Sequence, residues 1–160
     1  MEDNTAIRTG SASLSIANGN AAVETPSGVE ELCKKKHPRQ GTVLVVDDDD
    51  DQLELIAHLL RGRRFKVITA NSAAEGWRVL ADHTIDCIVC DVRMPRINGT
   101  VFTRRVRTQT RYRDVPIIMI AAANEDLEME METLACGADL FCPKRDVIKL
   151  LIPQVELLLS

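Results

Sequence analysis

No apolar run in this chain reaches the roughly 20 residues that a membrane-spanning helix needs, so no membrane segment is expected. The N-terminus has no basic start followed by an apolar core, so no secretory signal is expected. Positive charge is not in excess. The 160 residues carry a net charge of −4 and the pI is near 5.4, which gives no general reason to expect nucleic-acid binding. Nor is a disulfide framework suggested: there are five cysteines, an odd number, in a chain long enough to build its own core. Reduced thiols in a cytoplasmic protein are the expectation.

Large apolar residues are scarce in the first forty positions. Met1 to Gln40 is rich in Ser, Ala, Asn, Thr and Gly and shows no sustained periodicity. It reads as a disordered arm over 1–40, ahead of one compact domain over 41–160. Val29–Lys36 could form a short helix. Lys34-Lys35-Lys36-His37-Pro38-Arg39 is a basic knot, read as a solvated linker in preference to a contact for an acidic partner.

What the chain does have is a buried strand that ends in an acid. Ile85-Asp86-Cys87-Ile88-Val89-Cys90 is short and mostly apolar, as suits a strand covered on both faces of a parallel sheet. It runs directly into Asp91. Met94-Pro95 stops it, and Asn98-Gly99 signals a turn before the next helix. A second run, Thr42-Val43-Leu44-Val45-Val46, also ends in acids, Asp47 to Asp51. Ligands of open parallel sheets bind beyond the carboxyl ends of the strands. Two charges ~4 Å apart repel by about 4 kcal/mol at an effective dielectric near 20. Acids gathered from two strand ends therefore call for a cation, and Mg²⁺ suits an all-oxygen site. Cys87 and Cys90, three apart on a strand, point to opposite faces and read as small buried hydrophobes.

From Gly41 onward strands and helices alternate. Leu53, Ile56, Ala57 and Leu60 form an apolar helical stripe behind Asp49 to Asp51, whose charges favour a helix N-terminus. Phe65–Thr69 is the second strand. Ser72-Ala73-Ala74-Glu75 has capping-box spacing, with Trp77 and Leu80 facing inward behind it. Trp77 is expected in the core. Phe102 and Val106 mark a helix around which Arg104, Arg105, Arg107, Arg111 and Arg113 cluster. Such a face can attract phosphates, but a solvated helix face is the expectation. Val115–Ile120 is the fourth strand, and Pro116 is tolerable near its start.

Glu125–Cys136 follows as a helix with Leu127, Met131 and Leu134 on one face, ended by Gly137, and Ala138–Cys142 is the fifth strand. Arg145–Leu159 is more apolar than one core-facing stripe requires, which suggests a self-association face and hence a homodimer through the last helix. Pro153 should kink or restart that helix. Five βα units of this kind favour right-handed crossovers and a parallel sheet with helices on both faces.

Three motifs now stand in order. They are Val45-Val46-Asp47-Asp48; Asp91-Val92-Arg93-Met94-Pro95 with Gly99; and Gly137-Ala138-Asp139 followed by Lys144. Together they resemble bacterial response-regulator receiver domains over roughly Gly41 to Ser160. The resemblance implies a flavodoxin-like (βα)5 fold, a doubly wound five-stranded parallel sheet. It implies that Asp91 accepts a phosphoryl group from a histidine kinase or phosphotransfer protein. Asp48, Asp91 and the Arg93 backbone carbonyl would hold Mg²⁺ directly, and Asp47 would act mainly through a metal-bound water. Lys144 would pair with the phosphoryl oxygens, and Phe141 would be the aromatic whose rotamer reports phosphorylation. The protein would be a signalling domain and not an enzyme, beyond catalysing its own phosphorylation and dephosphorylation.

The chain departs from the family at three places. Ala121 stands where Ser or Thr is usual. The usual Lys-Pro order is replaced by Pro143-Lys144-Arg145, which bears on the family's cis peptide after the lysine and on the reach of Lys144. Asn98 replaces an Asp, a minor change. The leading expectation is a stand-alone receiver with output by protein contact. The alternative is a pseudo-receiver, a binding module with a weak or absent phospho-switch, which Ala121 and the altered Lys144 junction favour and the acid set opposes. A phosphatase built on Asp47-x-Asp49 lacks a cap and a later acid pair. A Ca²⁺ loop from Asp47 would have Gln52 in place of its glycine and His58 in place of its glutamate.

Overall fold

The computed structural model describes residues 41–122 and 127–160. The expected arm, the Val29–Lys36 helix, the basic knot, Ala123 and the start of the Glu125–Cys136 helix lie outside the described residues. Five parallel strands form one sheet: β1 (Thr42–Val46), β2 (Lys66–Ala70), β3 (Cys87–Asp91), β4 (Ile117–Ala121) and β5 (Leu140–Pro143). Their order is β2-β1-β3-β4-β5, the flavodoxin-like arrangement. The strands alternate with α1 (Asp50–Arg61), α2 (Ala73–Asp82), α3 (Gly99–Thr108), α4 (Leu127–Ala135) and α5 (Val147–Leu158).

The central strands β3 and β4 are buried at every position, as both-face coverage requires. One core layer packs Leu53, Ile56 and Leu60 of α1 with Leu151, Ile152 and Val155 of α5. The other packs Leu80 of α2 with Phe102 and Val106 of α3. Cys87 belongs to the first layer and Cys90 to the second, as strand alternation demands. Trp77 lies edge-on to Phe102, ring centroids 5.4 Å apart.

Short polar side chains begin the helices. Asp49 accepts hydrogen bonds from the backbone N–H groups of Asp51 and Gln52, and Asn98 does so from Thr100. Ser72 accepts from the Glu75 N–H at 3.3 Å, while Glu75 reaches back to the Asn71 N–H at 2.7 Å. That is a capping box whose second bond falls one residue early.

Several expectations need correction. β1 spans Thr42–Val46 as expected, but β2 to β5 begin one or two residues later than the apolar runs, because hydrogen bonding starts only where neighbouring strands overlap. Met131 and Leu134 of α4 do not face the core; they are exposed, and Thr133 and Cys136 are buried instead. α5 passes through Pro153 without a restart. Its buried residues Val147, Leu151, Ile152 and Val155 hold both halves on the sheet, and Pro153 points outward. A 3-10 turn, Lys144–Asp146, leads into α5.

Candidate functional site

The sheet order reverses between β1 and β3, and the site lies at their carboxyl ends. Asp91 is the last residue of β3, and Asp47 follows β1 directly, bonding its N–H to the Ala70 carbonyl at 3.2 Å. The register Val46↔Cys90 brings the next residues, Asp47 and Asp91, side by side. One carboxylate oxygen from each of Asp47, Asp48 and Asp91 lies within 4.8 Å of the others. Asp47 and Asp91 are buried, and Asp48 is exposed.

Lys144 approaches from the end of β5. Its Nζ lies 2.8 Å from Asp91 Oδ1 and 3.3 Å from Asp47 Oδ2. Asp47 Oδ1 also accepts from the Asp49 N–H at 3.0 Å. Pro143 pairs with Ala121 at the ends of β5 and β4, so the reversed Pro143-Lys144 order still delivers the ammonium. No cis peptide bond occurs among the described residues.

Burial, reinforced by the neighbouring Asp47 charge, pushes the Asp91 carboxyl up to about 6 despite Lys144. Burial likewise raises Asp47, against the Asp49 N–H and Lys144. Burial alone would lower Lys144, but its hydrogen bond to Asp91 and the charges of Asp91 and Asp47 outweigh it and leave the ammonium raised. One lysine thus faces three carboxylates. The donor set is all oxygen, closely spaced and short of two positive charges, which fits a hard divalent cation.

α3 is seated against this strand end. The Gly99 N–H bonds the Val92 carbonyl at 2.8 Å, and a Cβ at Gly99 would overlap the Asp91 carbonyl oxygen. Glycine is therefore required there. Arg96, in the same loop, holds φ at +68°, where non-glycine residues are strained. Arg93 is exposed beside Asp91. Ala121 is buried at the end of β4 with no hydroxyl to offer, and Phe141 is partly buried against the second core layer.

One residue escaped the reading of the sequence. Arg107, grouped there with a solvated basic face, is an internal clamp. Its guanidinium donates to the carbonyls of Gly137 (2.7 Å), Arg113 (3.1 Å) and Val115 (2.6 Å) and to Asp139 Oδ2 (2.7 Å). Its partners come from separate loops, so no local pattern announces it. A cavity of about 170 Å³ lined by His83, Thr84, Ile85, Arg111, Tyr112 and Val115 lies in the loops before β3 and β4, away from the acids.

The sequence profile described as "Response regulator receiver domain" matches residues 43–155. The chain belongs to the response regulator receiver family. Among solved structures, this receiver superposes on a putative response regulator from Chloroflexus aurantiacus with a TM-score of 0.72 and 30% identity, covering 76% of this chain and 98% of that one. Chemotaxis protein CheY4 of Vibrio cholerae gives a TM-score of 0.70 and 28% identity, covering 75% and 99%. Curated relatives include transcriptional regulatory protein PrrA of Mycobacterium tuberculosis, 34% identical over 73% of this chain and 49% of that protein. Another is the probable transcriptional regulator ycf27 of Cyanidium caldarium, 32% identical over 66% and 41%. The receiver thus spans less than half the length of these curated relatives. Response regulators of two-component systems receive phosphoryl groups from histidine kinases, and receiver domains are signalling modules. No helix among the described residues is long and apolar enough to cross a membrane.

Proposed function

We propose that this receiver accepts a phosphoryl group on Asp91 from a histidine kinase or phosphotransfer protein and signals by protein contact. The observation that carries the reading is the convergence of Asp47, Asp48 and Asp91 with Lys144 at one sheet edge. In the transfer an Asp91 carboxylate oxygen forms a bond to phosphorus as the donor's P–N bond breaks and the imidazole leaves. Mg²⁺ bound to Asp48, Asp91 and the Arg93 carbonyl, with Asp47 acting through a coordinated water, would offset the repulsion between two anionic reactants. Lys144 holds Asp91 in place before transfer and pairs with the added charge afterwards.

Ala121 weakens the conformational response to that added charge. A hydrogen bond to a charged group contributes about 1.5–3 kcal/mol. Moving an equilibrium from 1:99 to 99:1 takes about 5.5 kcal/mol. The missing hydroxyl therefore removes roughly a quarter to a half of the drive for switching without preventing phosphorylation. Ala121 is also the one observation in favour of a pseudo-receiver that binds but barely switches; the complete acid set weighs against it. Phe141 would report the switch by its rotamer. Ile148, Leu150 and Leu157 stand exposed on α5 and support self-association through that helix. The reading has a receiver working in the cytoplasm, with residues 41–160 as the receiver domain and 1–40 as an arm. The buried, unbridged Cys87, Cys90, Cys136 and Cys142 agree with a reducing compartment.

The test is incubation with acetyl phosphate and Mg²⁺. A base-labile gain of one phosphoryl group, lost in Asp91→Asn, is expected. A wild-type protein that gains none is a pseudo-receiver.

A further inference from the structure

From Val92 to Arg113 the sequence contains seven arginines and no Asp, Glu or Lys, in a chain whose net charge is −4. The structure sorts them. Arg107 is the internal clamp. Arg113 pairs with Asp114 at 3.5 Å, and Arg111 lies 5.2 Å from the Tyr112 ring centre. Arg104 and Arg105 are exposed on α3, and among the described residues no carboxylate comes within ion-pair distance of either.

Phe102, Thr103 and Val106 turn inward, so Val101, Arg104, Arg105 and Thr108 form the outward strip at i, i+3, i+4 and i+7. Val101 is 36% exposed at the head of that strip. The helix dipole favours cations in the last turn and so accounts for Arg105 and Arg107. It does not account for Arg104, or for the complete lack of carboxylates over the whole segment. A merely solvated face mixes both signs, because unpaired like charges repel.

We propose that this strip docks an acidic helical segment of a partner protein, with carboxylates reaching Arg104 and Arg105 and an apolar side chain over Val101. The charge complement is specific in kind. All the cations are arginines, whose planar fork matches a carboxylate in two hydrogen bonds, where a lysine presents a point charge. The strip runs about 10 Å along the helix, two turns of a partner. Nucleic acid is disfavoured, since the chain as a whole carries a net charge of −4. The docking needs no chemistry at Asp91.

The experiment uses the full chain and a synthetic helical peptide carrying glutamates at i, i+4 and i+7 around one leucine, read by residue-resolved NMR. Saturable shifts centred on Val101 to Thr108 are expected. Binding should weaken about tenfold or more in Arg104→Glu/Arg105→Glu and fall as salt rises from about 50 to 200 mM. The milder Arg104→Gln/Arg105→Gln should lie between. Acetyl phosphate labelling and melting temperature of these variants should match wild type, which separates a lost docking face from a lost fold or a failed receiver. The proposal is overturned by the absence of saturable binding, by shifts confined to Lys34–Arg39, by equal affinity in the double variants, or by a short DNA duplex that binds α3 more tightly than the peptide.

Discussion

Asp139 and Asp91 stand at opposite edges of one sheet. Asp139, just ahead of β5, has fixed partners: its Oδ2 accepts from Arg107 at 2.7 Å and from the Ile117 N–H at 2.7 Å. Asp86, at the same edge, accepts from the Thr42 N–H at 2.7 Å. At the other edge Asp91 shares Lys144 with Asp47, and Asp48 adds a third carboxylate. The same side chain thus serves as a staple at one edge and as an under-compensated charge at the other. The edge with satisfied carboxylates holds the fold together. The edge where burial outruns compensation is where the proposed metal and phosphoryl chemistry would act.

Breaking the satisfied edge should have the largest effect. Arg107→Ala strands three carbonyls and Asp139, and a loss of about 2–3 kcal/mol is expected in urea unfolding, independent of Mg²⁺. Relieving the other edge should act in the opposite direction. Asp91 is held at about 6 in the fold, above its ordinary value. The native state therefore binds more protons than the unfolded chain between about pH 4 and 6, and stability falls as pH rises through that window. A rise from about 4 to about 6 corresponds to about 3 kcal/mol at most, reduced by the lost Lys144 pairing, so Asp91→Asn should stabilise the metal-free protein by about 1–2 kcal/mol at pH 7. The gain, read from urea unfolding at a series of pH values, should fade below pH 6 and vanish near 4. Supplying the missing charge comes next: Mg²⁺ at ten times its Kd should stabilise wild type by about 1.4 kcal/mol in thermal melts, an effect Asp48→Asn should lose. The smallest change should be Arg96→Gly, where relief at φ +68° is partly offset by glycine's chain entropy, for a net gain of about 0.5 kcal/mol in the same melts.

How far each feature could be read depended on how local its cause is. β1, β3 and β4 are apolar runs, and burial on both faces writes itself into composition. The acids at the ends of β1 and β3 were visible for the same reason: they interrupt those runs. Lys144 came only through resemblance, because nothing local ties it to strands some fifty and a hundred residues earlier. α4 misled for a physical reason. Its inward side carries the partly buried Met129 and the buried Thr133 at i and i+4 and continues to Cys136 just past its end, and a polar threonine hides that period while the exposed Met131 and Leu134 imitate one. Arg107 was misread because its acceptors are mostly backbone carbonyls, which no side chain advertises.

Both the chemistry and the pH dependence rest on Asp91 sitting in a pocket short of positive charge. The decisive experiment is its carboxyl titration, followed by ¹³C NMR with and without Mg²⁺. A midpoint near 6 is expected without metal, with a marked fall when Mg²⁺ is added. A midpoint near the ordinary carboxylate value of about 4, unmoved by Mg²⁺, would show that the pocket lacks this deficit.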